Sequence, residues 1–140
     1  MTAPRALPPV STALPSLPVG PIDADWVSRY AAASGDDNKL HLDPAAARAA
    51  GFSGPIVPGM LLLGLCERAI RGWRDDAGIT RLAARFLHPL VVPASVTVSG
   101  RVVLVEPAGE AARVVLRLFV GAAQSPPACI AEAVLRVPAP

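Results

Sequence analysis

The sequence predicts an α+β domain, one long buried helix wrapped by a curved antiparallel sheet. Two observations lead there. A mostly apolar segment from Gly59 to about Trp73 has the length and composition of a buried helix, and the remainder of the chain reads as strands punctuated by proline and glycine. At 140 residues there is room for one domain of ordinary size.

The elements follow in chain order. Residues 1–21 are rich in Pro, Ser and Ala and read as an extended arm, with an edge strand expected around residues 13–17, because sheet edges tolerate proline. The domain proper is expected over residues 22–140. A helix is expected near residues 23–33, where Asp23 or Asp25 can cap free N–H groups and Trp26, Val27 and Tyr30 recur at helical spacing. Residues 34–39 are turn formers and read as a loop. Asp43 then suits an N-cap, Pro44 a first helical position and Gly51 a left-handed stop, so a short helix is expected at residues 44–50. The Gly54-Pro55 pair opens another loop.

The long helix carries Leu61, Leu62, Leu63, Leu65, Cys66, Ala69, Ile70 and Trp73. Apolar residues cover most of its first half, so it should be buried on several sides. Glu67, Arg68, Arg71 and Arg74 gather toward its C-terminal end, where cations suit the helix dipole. Arg68, Arg71 and Arg74, three residues apart, read as a solvated face. Strands are expected at residues 81–88, 94–105, 111–121 and 128–137, separated by Pro89, Pro93, Gly109 and Pro126-Pro127.

Composition narrows the function classes. The net charge of +2 arises from thirteen basic and eleven acidic residues without a basic run, and aromatics make up 4%, so no nucleic-acid partner is expected. Cys66 and Cys129 have no metal-like spacing and read as buried free thiols in a reducing cytosol, with no metal. Pro8, Pro9, Pro15 and Pro18 break the N-terminal stretch, so no export helix is expected there. The longest apolar run is far short of the ~20 residues that cross a bilayer. A soluble cytoplasmic protein without a membrane partner is the expectation. The hydrophobic fraction of 52% is a surplus that suggests burial of some surface against a second copy.

Chemistry concentrates between Ser34 and Met60. His41 offers an imidazole, the side chain that ordinarily exchanges protons near neutrality, and Asp36 lies five residues before it. A histidine and a carboxylate sharing one water form an acid–base pair. Asn38 could orient either group. Gly59, at the mouth of the long helix, lets a ligand oxygen approach an outward-pointing N–H. The spacing leaves two readings open, since Asp36 and Asn38 also suit turns and His41 could be a satisfied histidine near the core. His88, before Pro89 at a strand end, reads as structural.

The string Tyr30-Ala-Ala-Ala-Ser-Gly-Asp36-Asp-Asn38-Lys-Leu-His41-Leu-Asp43 resembles the hydratase motif of the MaoC-like family, which includes the (R)-specific enoyl-CoA hydratases. Gly51-Phe52-Ser-Gly-Pro-Ile56-Val57-Pro-Gly59-Met60 is similar to the family's second signature, and Arg85-Phe86-Leu-His-Pro89-Leu-Val-Val-Pro93 to the strand that follows. The resemblance implies a single hot-dog domain, paired as a homodimer. It implies a hydro-lyase that adds water reversibly to a trans-2-enoyl thioester, or removes it from a 3-hydroxyacyl thioester. Asp36 and His41 would be catalytic; Asn38, Gly59 and Met60 would bind substrate. The thioester, on coenzyme A or a carrier protein, activates itself, so no cofactor is implied. Three positions depart from the pattern: Lys39 replaces a proline, Pro58 a histidine, and Gly64 a serine found in some members, opening space within the helix for a bulkier acyl group. A hot-dog thioesterase and a non-catalytic acyl-binding or partner subunit are the alternatives.

Overall fold

A computed structural model describes residues 5–140. Strands β1 (Leu17–Ile22), β2 (Gly78–Phe86), β3 (Ala94–Ala108), β4 (Ala111–Gly121) and β5 (Cys129–Pro138) form one sheet. Their order is β1-β3-β4-β5-β2, and every neighbouring pair is antiparallel. Helices α1 (Ala24–Ser34), α2 (Lys39–Leu42), α3 (Pro44–Ala49) and α4 (Gly59–Trp73) lie between β1 and β2 in the chain. The sheet wraps α4, and the α+β expectation holds.

Strand alternation builds the core. In β4, Ala112, Val114, Leu116, Leu118 and Val120 are buried in one cluster with Leu61, Leu62, Leu65, Cys66, Ala69 and Ile70 of α4. Each fully buried valine or leucine contributes roughly 1.5–3 kcal/mol relative to exposure. The opposite parity faces outward. There Arg113 and Arg117 of β4 share a face with Arg101 of β3, Arg136 and Glu132 of β5, and Arg81 and Arg85 of β2. The core face of α4 leaves Met60, Gly64, Arg68, Arg71 and Gly72 exposed, so the helix is less enclosed than its apolar run suggests.

The caps explain the helix boundaries. Asp23 accepts from the Trp26 N–H at 2.9 Å and starts α1. Asp43 accepts from the Ala45 N–H at 2.9 Å, with Pro44 at the first position of α3. Such caps are each worth about 1 kcal/mol. The single turn α2 follows the run of turn formers and carries no signal of its own in the sequence, because four residues are too few to show a period.

The edge strand lies at Leu17–Ile22, beginning where the expected one at residues 13–17 ends. Pro15 has no N–H, so an unbroken ladder cannot run through it. The arm before it still pairs with β3: the Ser11 N–H donates to the Val102 oxygen at 2.8 Å, the Val102 N–H to Thr12 at 2.9 Å, and the Leu14 N–H to Gly100 at 2.9 Å.

Arg74 corrects the picture of a solvated arginine face. It is buried, grips Asp76 through two bonds of 2.7 and 2.6 Å, and donates to the Ala6 oxygen at 2.9 Å. That bidentate pair holds the Asp76 carboxyl below its ordinary range and ties the arm to the end of α4. Arg71 pairs with Glu67 one turn away at 2.9 Å, and Arg68 is exposed. Cys66 and Cys129 are free and buried, as expected, and burial pushes the Cys66 thiol up to about 12.

Candidate active site

The turn α2 positions the imidazole. Its N-cap is Asn38, whose side-chain oxygen accepts from the Leu40 N–H at 3.0 Å. The Asn38 N–H in turn donates to Asp36 Oδ1 at 3.3 Å, and the Asp36 N–H donates to Ser34 Oγ at 3.1 Å. Asn38 thus links the carboxylate to the helical turn that carries His41. Its side chain is spent on the cap, and Asn38 is not among the residues lining the neighbouring cavity.

The imidazole is fixed on one side and offered on the other. His41 Nδ1 lies 2.8 Å from the Ile56 carbonyl oxygen. A carbonyl only accepts, so Nδ1 carries the proton and donates it. Nε2 of the neutral ring is then left with its lone pair, 3.6 Å from Asp36 Oδ2. That separation is too long for a direct hydrogen bond and suits one water donating a proton to each group. The His41 side chain is 12% exposed and that of Asp36 39%, so the carboxylate sits on the solvent side of the pair.

The loop at residues 55–57 connects this pair to the rest of the site. Its Ile56 N–H donates to the Leu40 oxygen at 3.0 Å, just before His41. On the other side, the Val57 N–H donates to Leu90 at 2.8 Å and the Val92 N–H to Pro55 at 2.8 Å. The β2–β3 connection is thereby held against the histidine. Together they enclose a cavity of about 300 Å³ lined by His41, Ile56, Val57, Gly59, Leu62 and the consecutive residues 86–90.

Gly59 opens α4, where the N–H groups of the first turn have no intrahelical acceptor and the dipole is positive. Its missing side chain has a local reason. A Cβ there would stand 3.1 Å from the Phe86 ring. Pro58, which replaces the family's histidine, is fully buried and serves as the cap residue of α4. Met60 is 59% exposed and outside the cavity lining.

Two sequence expectations change here. Gly64 is exposed on α4, with nothing within 4 Å of an added Cβ, so it opens no space toward the cavity. His88, read as structural, lines the cavity. The Leu87 and His88 N–H groups both donate to the Ala128 oxygen, at 2.8 and 3.3 Å, which turns the chain at the end of β2 and lays residues 86–90 along the wall. Strand-end position alone carried no signal for that.

A five-stranded antiparallel sheet in this order around one helix is the hot-dog fold. The chain belongs to the MaoC-like domain family, whose model matches residues 8–117. It is 36% identical over 69 residues to the 3-hydroxyacyl-thioester dehydratase X of Mycobacterium tuberculosis; the match takes in 49% of this chain and 24% of that protein, so it spans about a quarter of the length of this curated relative. The (R)-hydratase of A. caviae involved in PHA biosynthesis superposes with a TM-score of 0.84 at 28% identity, covering 93% of this chain and 97% of that one. A chain of the ChsH1-ChsH2 complex of M. tuberculosis superposes with a TM-score of 0.83 at 23% identity, over 94% and 99% of the two chains, a likeness of fold alone.

Proposed function

We propose that the chain is a hydro-lyase acting on trans-2-enoyl and 3-hydroxyacyl thioesters. The observation that carries this reading is the 3.6 Å gap between His41 Nε2 and Asp36 Oδ2, with Nδ1 held by Ile56; His41 lines the cavity together with Gly59, and Asp36 stands just outside its lining. The hydratase and dehydratase relatives support it.

In the hydration direction, Asp36 and His41 share a water whose oxygen attacks the β-carbon. The water proton passes to Nε2 as the π electrons move toward the thioester oxygen. The Gly59 N–H, at the positive end of α4, stabilises that oxygen as it gains enolate charge. The imidazolium then returns its proton to the α-carbon, so the net change is addition of H and OH across the double bond. Asn38 serves by holding Asp36 and capping α2, and Met60 by flanking the mouth. The acidity of the α-position comes from the thioester, so these steps call for no metal or redox cofactor.

A homodimer in the cytoplasm is part of the same proposal. Leu42, Met60, Phe86, Leu87 and Val91 are large apolar residues left exposed, and Phe86 and Leu87 line the cavity. The buried free thiols suit a reducing compartment. Among the described residues no helix is long and apolar enough to cross a membrane.

The deciding experiment follows enoyl absorbance with short, long and branched enoyl thioesters while titrating free thiol. Loss of absorbance with the thioester intact is the expected result. Thiol release without hydration would establish hydrolysis instead, and light scattering of the purified chain at the mass of one subunit would refute the dimer.

A further inference from the structure

The outward face of the sheet carries a second concavity that the proposed reaction does not use. It is a groove of about 510 Å³ between β2, β5 and β4, lined by Arg81, Arg85, Arg117 and Glu132 and by the apolar side chains of Phe119 and Ile130 over a floor of alanines. The floor is low because Ala83, the outward residue opposite Glu132 in the β2–β5 register, carries only a methyl, while Ala84 and Ala131 turn toward the core and leave backbone at the surface. Arg81 is occupied by Glu132 at 3.6 Å. Among the described residues Arg85 and Arg117 have no carboxylate within ion-pair distance.

The strand register sharpens the point. Arg117 stands opposite Arg101 of β3 on one side and opposite Glu132 of β5 on the other, and Glu132 turns to Arg81; Arg113, opposite Arg136, lies outside the groove and pairs with Glu106 at 3.3 Å. Like charges in a direct cross-strand pair are destabilising, and an anion in the groove beside Arg117 eases its repulsion with Arg101. Val115 and Val134, on the same outward face, are themselves nearly buried. Guanidinium forks match phosphate oxygens two at a time, and an aromatic and an aliphatic wall beside them suit a flat heterocycle. The volume falls in the range of small-molecule sites.

We infer that this groove binds a nucleotide, its phosphates on Arg85 and Arg117 and its base against Phe119 and Ile130. The nucleotide has two sources, the phosphorylated tail of a coenzyme A thioester or a free nucleotide, and the first of these rests on the proposed hydro-lyase reading.

Calorimetric titration of the full chain with coenzyme A, ADP and pyrophosphate tests it without turnover. The wild type binds coenzyme A and ADP, and added salt weakens both. Arg85→Ala and Arg117→Ala each weaken binding about tenfold or more. Arg117→Lys keeps the charge, loses the fork and weakens binding less. Phe119→Ala weakens ADP while leaving pyrophosphate unaffected. No saturable binding at millimolar nucleotide overturns the inference. So does undiminished affinity in the Arg85→Ala, Arg117→Ala double variant, or binding of an acidic peptide where nucleotides fail. The source is then read from kinetics. A substrate tail predicts that these variants raise KM for the coenzyme A thioester, with kcat and the KM of its N-acetylcysteamine analogue unchanged. A free nucleotide predicts both KM values unchanged while ADP binding is lost. Absence of hydration would sink the reaction assignment and leave the binding result standing.

Discussion

Replacing Asp36 with asparagine removes the charge at the candidate active site and turns the Oδ2 acceptor into an N–H donor. The amide keeps the shape and the Oδ1 that accepts from the Asn38 N–H, so α2 and His41 stay in place. What disappears is the acceptor for the shared water and, with it, the negative charge 3.6 Å from Nε2, which steadies the imidazolium once the water proton has been taken up. At an effective dielectric constant of about 20, that attraction is roughly 4–5 kcal/mol. Asp36 is 39% exposed, and solvent screening brings the usable part to about 2–3 kcal/mol. Each 1.4 kcal/mol corresponds to about tenfold in rate, so kcat for hydration should fall by about 10²-fold, the low end for loss of an acid–base group. The assay is decay of enoyl absorbance at saturating thioester, with a thermal melt as control. Little change in melting is expected for a partly exposed side chain. Wild-type turnover in Asp36→Asn and in His41→Ala would falsify the assignment of the pair.

Three other outcomes follow from the packing. Gly59→Ala pushes a methyl against the Phe86 ring, narrows the cavity and lowers kcat/KM, while the melt moves only slightly; unchanged kinetics would show that the ring yields freely. The Asp76 carboxyl is held below its ordinary 3.8 by Arg74, so its contribution to stability is complete above that value and disappears as pH falls through the lower native value. Arg74→Met should therefore flatten the acid limb of the stability curve, and an unaltered limb would refute the coupling. Cys66, fully buried and with its thiol pushed up to about 12, should resist iodoacetamide in the native protein at neutral pH and react on unfolding. Rapid native alkylation would contradict its placement.

The architecture was readable where period and punctuation were strong. Asp43, Pro44 and Gly51 marked α3, and the leucines of 61–65 marked α4, because both rest on local physics. The sequence places this strand at residues 81–88, whereas β2 spans Gly78–Phe86: Gly78 carries no strand signal and is revealed by its pairing with Arg136 of β5, and the strand ends where the Leu87 and His88 N–H groups turn to the Ala128 oxygen. At the candidate site, the motif located Asp36 and His41. The Ile56 carbonyl that sets the tautomer could not be found from sequence, because its identity as an amino acid is irrelevant to the bond. His88 and the wall formed by residues 86–90 depend on two N–H groups sharing the Ala128 oxygen, a contact across the fold. The outward arginines look scattered in the sequence because they are spread over four strands, and only the register assembles them.

The arm before β1 has a consequence for solution behaviour. β3 is fifteen residues long and β1 only six, so much of the free side of β3 has no strand beside it. Residues 11–14 occupy the stretch around Gly100 and Val102, and Arg74 pins the chain just upstream through the Ala6 oxygen. The arm is a stopper. It covers backbone donors and acceptors that could otherwise recruit a strand from another molecule. Its prolines make it a poor template in its own right, since they offer no N–H to a newcomer. Deleting residues 1–14 should leave α4 and the His41 turn intact and make the protein aggregate with rising concentration, measurable by light scattering. A truncated chain that remains dispersed would mean that β3 tolerates an open edge.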